Sequence, residues 1–462
     1  MKHFTVKTLI AFLILVSSTN AFAQFVRTSY FMDGATNKMQ LNPALRPSRG
    51  YINIPAAGSL YAGTFANTMN VEDIIDLIGT DGEDYKIKDS LFDRLENNNW
   101  FNALVNTDII SFGFYKGNGF WSGSIGLKTD IGAFVPKSKF EFMKYMSSLN
   151  DEYSMPLLEP GTYNFDIRDE SVNINAYTEI GIGYSYQIGE KLTVGAKAKM
   201  LLGVANLKLD IKRMGIEQTI NKRTEWFEGE MYEYDEFSTK VDRDIRMEVS
   251  LGGLGIQTEI DEDTGDEVVE DLDFDKFGFA GYGMGVDLGL AYQVMDNFTI
   301  SASLIDLGFI SWNKGSTKVA SNYGSEVYDY ELYGGGFLDY DMMQLSLDES
   351  KSRTTSLATT LVVGAEYGFL NNKLGAGILS TTRFGASKTI SEITLSGNYR
   401  PKNWFDISLS YSVLQSEFKT LGLALRMGPV FIGTDYMYTG NTGSKSANAY
   451  LGISIPLGKK RI

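Results

Sequence analysis

Any chemistry in this chain has to come from carboxylates, amines, guanidinium groups and hydroxyls. There is no Cys among the 462 residues, and the single His is His3, inside a stretch that reads as a cleaved leader. A Ser–His–Asp triad, a Cys nucleophile, an imidazole or thiolate metal site and a disulfide framework are all excluded. Asp261, Asp263 and Asp266 offer the one metal-like spacing, a weak Ca²⁺ candidate. They lack the glycine and terminal glutamate of an EF-hand loop, and a solvated hairpin turning at Thr264-Gly265 fits them better. No paired-acid motif rises above the acidic background, so neither an enzyme nor a cofactor is expected.

The informative charges are those set into alternating segments. In Tyr282, Met284, Val286, Leu288, Leu290, Tyr292 and Val294 one face is apolar, while Gly283, Gly285, Asp287, Gly289, Ala291 and Gln293 make the other small or polar. The same period of two runs through Phe405, Ile407, Leu409, Tyr411 and Val413, and through Ile180, Ile182, Tyr184, Tyr186 and Ile188. Lys128, Lys197, Lys199, Asp287, Glu366, Arg383, Asp406, Arg426 and Asp435 all fall opposite the apolar face. A Lys or Arg on a lipid-facing surface costs about 2–4 kcal/mol at the bilayer midplane. That arrangement is expected of a barrel wall with lipid outside and a polar lumen inside, where these nine residues are the lumen-facing candidates. The apolar faces run for roughly ten residues, the length a tilted membrane strand needs, and carry aromatics near their ends.

These faces require an all-β fold, a transmembrane antiparallel barrel of about fourteen strands. The spacing places strands at 51–62, 107–116, 120–132, 173–188, 191–207, 278–294, 298–311, 356–369, 373–386, 389–400, 404–414, 418–428, 430–439 and 447–457. Short turns such as Gly117-Asn118-Gly119 and Pro401-Lys402-Asn403 alternate with long connections, as periplasmic turns alternate with outer loops. The long connections 208–277 and 312–355 read as an acidic and an aromatic-rich surface loop. The stretch 225–275 holds nineteen acids against Lys240, Arg243 and Arg246, a net of −16 set against −15 for the whole chain. Short helices are expected in the connections or the lumen: Val71, Ile74, Ile75 and Ile78 recur at helical spacing, and Ser138-Lys139-Phe140-Glu141 reads as a capping box.

The first 23 residues form a signal peptide. Lys2 and Lys7 precede an apolar run, and Ala21-Phe22-Ala23 is a small-x-small cleavage site. Residues 24–50 then form a periplasmic or lumen segment, and the barrel occupies 51–462. Export followed by β-barrel insertion predicts the cell outer membrane, a monomeric barrel and outer-membrane lipid as the surroundings. The acidic balance argues against nucleic acid as a partner.

Leu41-Asn42-Pro43-Ala44-Leu45, just before the first strand, resembles the Asn-Pro-Ala motif of FadL-type outer-membrane proteins and their PorV-like relatives. Residues 305–312, Ile-Asp-Leu-Gly-Phe-Ile-Ser-Trp, look like a strand end of uncharacterised Bacteroidota barrels of this kind. The FadL-like resemblance implies a transport or channel protein for small molecules, a hydrophobic ligand among them. The PorV-like resemblance implies instead a non-enzymatic scaffold or shuttle for a secreted protein. Tyr328, Tyr330, Tyr333, Phe337 and Tyr340, with Gly334-Gly335-Gly336, would supply its surface-loop binding residues, since exposed Tyr beside Gly suits recognition.

Overall fold

The computed structural model describes residues 26–55, 58–70, 72–73, 88–149, 160–227, 230–252, 255–260, 267–273, 278–331, 345–348, 350–384, 389–414, 419–437 and 445–460. The chain opens with β1 (Gly50–Asn53), β2 (Ser59–Ala66), β3 (Asn98–Lys116), β4 (Gly119–Pro136), β5 (Gly161–Ile188) and β6 (Leu192–Phe227). Then come β7 (Glu230–Leu251), β8 (Gly255–Ile260), β9 (Glu267–Asp273), β10 (Gly281–Met295), β11 (Phe298–Trp312), β12 (Thr317–Glu331) and β13 (Ser346–Leu347). The last eight strands are β14 (Arg353–Ser356), β15 (Thr360–Phe369), β16 (Leu374–Phe384), β17 (Thr389–Lys402), β18 (Phe405–Leu414), β19 (Lys419–Met427), β20 (Val430–Thr434) and β21 (Ser446–Leu457). Among the described residues two α-helices, α1 (Asp89–Phe92) and α2 (Lys137–Leu149), lie in the connections.

Fourteen antiparallel wall strands close into a barrel. β1 and β2 serve as two halves of the first wall strand, each pairing β3 on one side and β21 on the other. From β3 the wall runs through β4, β5, β6, β10 and β11. β14 and β15 share the next position against β11, and β16 to β21 complete the circuit. Closure leaves the wall no unpaired edge, which is what a bilayer interior demands of β structure.

The wall's outer surface is apolar. Ile182 and Met284 are each 63% exposed, and Leu288, Leu361, Ile393, Leu409 and Ile432 are exposed beside them. No folded soluble protein leaves such a continuous belt in water; lipid is its solvent. Aromatics gather near the short-turn end, with Trp121 against Tyr184 at 4.6 Å between ring centroids and Tyr367 against Phe369 at 4.8 Å. Among the described residues no helix is long and apolar enough to cross a membrane, so the strands do the crossing.

β3 to β6 overrun the lengths expected from alternation, whereas β20 stops at Thr434, short of the expected 439. β6 continues to Phe227 and leaves the wall at Ala205, where β7 replaces β10 as its neighbour. β5, β6, β7 and β12 then form a sheet outside the membrane, with Arg246 of β7 opposite Ser321 of β12. The connections 208–277 and 312–355 are therefore strand over much of their length. Beyond the bilayer both faces of a strand tolerate polar groups, and the lipid-driven alternation fades. The sheet has its own core of Ile167, Ile211, Met214, Ile216, Val241 and Ile245, closed by Phe142 of α2. The same helix turns Phe140 toward a second cluster with Met69, Leu91 and Leu95. At the sheet's base Glu248 accepts from Arg246 at 3.1 Å and Arg353 at 3.0 Å. Burial pushes its carboxyl up, and these two guanidinium groups override that and hold it below the usual carboxylate range. The expected helix through Ile74, Ile75 and Ile78, and Asp261, Asp263 and Asp266, lie outside the described residues.

Candidate functional site

The barrel lumen is filled by the chain's own N-terminal segment. Val26, Tyr30, Met32, Ala35, Leu41 and Ala44 are each at most 2% exposed, packed among inward side chains such as Tyr61, Phe65, Val362 and Leu379. Residues 26–47 have no alternation or helical period, so nothing in their hydropathy marks them as buried. Their burial comes from the wall that closes round them.

The segment is tied down at successive points. Arg27 forms a buried ion pair with Glu392 and also donates to the Tyr436 hydroxyl, which donates to Glu392 at 2.6 Å. The Thr28 amide donates to Asp435 at 2.7 Å, and the Thr28 and Ser410 hydroxyls lie 2.7 Å apart. The Tyr30 hydroxyl is 2.9 Å from that of Ser301. Arg400 donates to the Phe31 carbonyl at 2.9 Å and to Asp33 at 3.1 Å, and it holds Glu366 at 2.5 Å. Gln40 donates to Asp108 at 3.0 Å. Near the turn end Arg46 donates to the Asn118 carbonyl at 2.8 Å. Every one of these contacts uses a side chain on at least one partner.

The Asn-Pro-Ala motif sits at the centre of this arrangement. Asn42 donates to the wall carbonyls of Leu290 and Ala302 at 3.2 and 3.3 Å, and its own carbonyl accepts the Ala44 amide at 2.9 Å. The turn rests over a cross-strand glycine pair, Gly195 of β6 opposite Gly289 of β10. A Cβ on Gly195 would lie 2.5 Å from the Pro43 carbonyl carbon, and one on Gly289 would lie 2.2 Å from Asn42 Oδ1. Farther along, Gly377 and Gly422 make the same room for Phe31 and Thr28. The small inward face read from the sequence is thus a groove shaped for this segment. Valine at 195 keeps strand propensity but overfills the groove, at a cost of about 1–3 kcal/mol. A G195V change in an A44C background is expected to speed maleimide labelling of position 44 by about tenfold or more, since each 1.4 kcal/mol of opening is a factor of ten. Labelling as slow as in A44C alone would show that the turn is not seated on Gly195.

The nine residues read from the sequence fall in two groups. Glu366, Asp406, Arg426 and Asp435 surround the segment. Arg426 pairs with Asp406 at 2.7 Å and donates to the Asn403 and Gly428 carbonyls. Lys128, Lys197, Lys199, Asp287 and Arg383 belong to a wall cluster on β4, β5, β6, β10, β11 and β16. There Lys199 sits among Asp306 at 2.6 Å, Asp287 at 2.7 Å and Glu179 at 3.3 Å, while Lys197 holds Glu179 at 2.5 Å. Arg383 pairs with Asp130 at 2.5 Å, and Lys128 lines a small cavity with both. Glu179 was readable by the same alternation that marks Ile180 and Ile182. Asp306 was not, because it sits at a bulge with φ +58° where the β10–β11 register slips. Arg27, Asp33 and Glu392 gain their roles only through the buried segment.

Of the surface-loop aromatics, Tyr328 is half-buried on β12, with Arg243 5.7 Å over its ring. Tyr330 is in the same strand, and Tyr333, Phe337 and Tyr340 lie outside the described residues. Between segment and wall a cavity of about 40 Å³ is lined by Gln40, Asn53, Asp108, Ser124, Ser185 and Lys197.

Solved structures similar to this chain include the deltaS2S3 mutant of the monoaromatic hydrocarbon channel TodX, at 9% identity and a TM-score of 0.39, covering 95% of this chain and 96% of that one. The Pseudomonas putida toluene transporter TodX is similar at 10% identity and a TM-score of 0.38, covering 92% and 95%. The monoaromatic hydrocarbon channel CymD matches at 9% identity and a TM-score of 0.30, covering 93% and 95%. No curated protein matches the chain. A family model does match, from the Pro43 of the lumen turn to the Asp435 that holds Thr28, and by that match over residues 43–435 the chain belongs to DUF5723, a family of unknown function.

Proposed function

We propose that this protein is an outer-membrane transport barrel for small molecules, hydrophobic ones included, gated by its own N-terminal segment. The observation that carries this reading is the way the segment is held. It fills the lumen through side-chain contacts in a glycine-floored groove, while the wall closes by its own ladder. The segment can shift without breaking a hydrogen bond between wall strands, which a strand of the wall could not do. The cavity beside Gln40 and Ser185, with room for roughly three waters, gives displacement a place to begin. The leader at 1–23 provides the export that outer-membrane insertion requires.

Proteoliposome flux tests this. The native chain is expected to pass a small solute slowly, and a chain lacking 26–47 to pass it at least tenfold faster, because a fourteen-strand wall without its filling encloses a wide channel. Heat-modifiable gel migration reports whether the shortened wall has closed. A closed wall with no gain in flux would end the channel reading.

A second reading, a scaffold for a secreted protein, draws on the sheet outside the membrane. Trp226 is 71% exposed, and Met231, Tyr323 and Val327 are each near 60%. Recovery of one secreted partner by the native chain, lost on deleting 316–350, would favour it over transport.

A further inference from the structure

The short-turn end of the wall carries a feature that gating does not use. Trp404, in the turn between β17 and β18, is 54% exposed; the next residue, Phe405, pairs with the exposed Met427, and Leu457 is exposed at the same end of the wall. Lys402 Nζ stands 5.7 Å from the centre of its ring. Past β21, Gly458 adopts φ +73°, a left-handed conformation that favours glycine, and turns the chain back. Lys460 thereby reaches the same turn and donates to Asn403 Oδ1 at 3.0 Å. Lys402, Lys459 and Lys460 are all exposed. Asp406, the acid nearest Trp404 in sequence, is buried and committed to Arg426. Two ammonium groups from separate segments, those of Lys402 and Lys460, thus meet where the wall's apolar belt ends, with exposed Lys459 next to Lys460 in the chain, around a Trp of the kind that sits at headgroup level.

The geometry points to a docking site for one anionic glycerophospholipid headgroup, its phosphate taken by Lys402, Lys459 and Lys460 and its acyl chains laid along Trp404, Met427 and Leu457. Charge complementarity selects an anionic lipid over a zwitterionic one, since a headgroup carrying its own ammonium would repel the cluster. Continuity with the lipid-facing belt selects a lipid over a free anion. The short-turn end places the site in the leaflet opposite the long connections, the periplasmic one in an outer membrane.

The test uses the full chain in phosphatidylcholine vesicles that contain either brominated phosphatidylglycerol or brominated phosphatidylcholine as quencher. The share of quenching due to Trp404 is the difference between the native chain and W404F. At low salt brominated phosphatidylglycerol is expected to quench Trp404 several-fold more strongly than brominated phosphatidylcholine. K402Q/K459Q/K460Q is expected to abolish that preference while keeping heat-modifiable migration. Equal quenching by the two lipids in the native chain would overturn the proposal, and so would a preference that survives in the triple variant. If the triple variant does not close its wall, the single changes K402Q and K460Q should each reduce the preference, and no reduction in either would also overturn it.

Discussion

Oxidised T28C/S410C is expected to carry no solute flux in proteoliposomes, and reductant is expected to restore it. The two hydroxyl oxygens are 2.7 Å apart, with Thr28 on the lumen segment and Ser410 on β18. A disulfide closes that gap to about 2.0 Å with little backbone movement. The chain has no Cys of its own, so no competing bridge can form. The lock joins segment to wall and changes nothing in the wall's ladder. A matched control is T394C/S412C, whose hydroxyls are 2.8 Å apart on neighbouring wall strands. That bridge should form equally well and leave flux unchanged. Flux that persists through the oxidised T28C/S410C protein would show that solute does not need the segment to move. The lock also complements deletion of 26–47, because it needs no refolded, shortened chain.

Replacing Lys199 by Met is expected to cost about 3–5 kcal/mol of stability, the range for breaking a buried ion pair by removing one partner. Lys199 is 7% exposed and touches three carboxylates, those of Glu179, Asp287 and Asp306. Without it Asp287 and Asp306 lose the only ion-pair partner they have among the described residues, and the Asp306 amide that donates to Asp287 at 2.8 Å cannot neutralise both. Lys197 provides the internal comparison. It holds Glu179 alone and is 19% exposed at its side chain, so K197M leaves Glu179 with Lys199 and should cost far less. The ordering is read from the temperature or urea concentration at which the heat-modifiable band is lost. Equal losses for the two variants would mean that the cluster is not organised round Lys199.

Much of the wall was legible in the sequence because lipid enforces a strict rule. A strand inside the bilayer must show apolar groups outward, so Tyr282 to Val294 and Phe405 to Val413 announce both their conformation and their orientation. The same rule places Asp287 and Asp406 inward before any contact is known. It stops where the lipid stops. β5 and β6 run on past Ala176 and Ala205 into a sheet that buries Ile167 and Ile211 against each other and against α2, and there charged residues stand on both faces. A reading keyed to alternation ends those strands too early.

The N-terminal segment marks the other boundary. Asn42-Pro43-Ala44 stood out as a motif, yet neither its burial nor its seat on Gly195 and Gly289 is written locally, because the two glycines lie about 150 and 250 residues away in the chain. Arg27 and Glu392 are unremarkable charges until the barrel closes, when each becomes the other's answer to desolvation.

The sequence by itself determined the fold class, the two faces of each wall strand, the absence of His and Cys chemistry from the wall, and the concentration of negative charge in 225–275. All of these are local, set by period, composition and the cost of charge in lipid. Tertiary structure alone decided that the lumen is filled by residues 26–47, which lumen charges pair, and that Lys402 and Lys460 meet at one turn. Those outcomes depend on closing a ring of fourteen strands, and ring closure brings together residues whose separation in the chain carries no information about their distance in space.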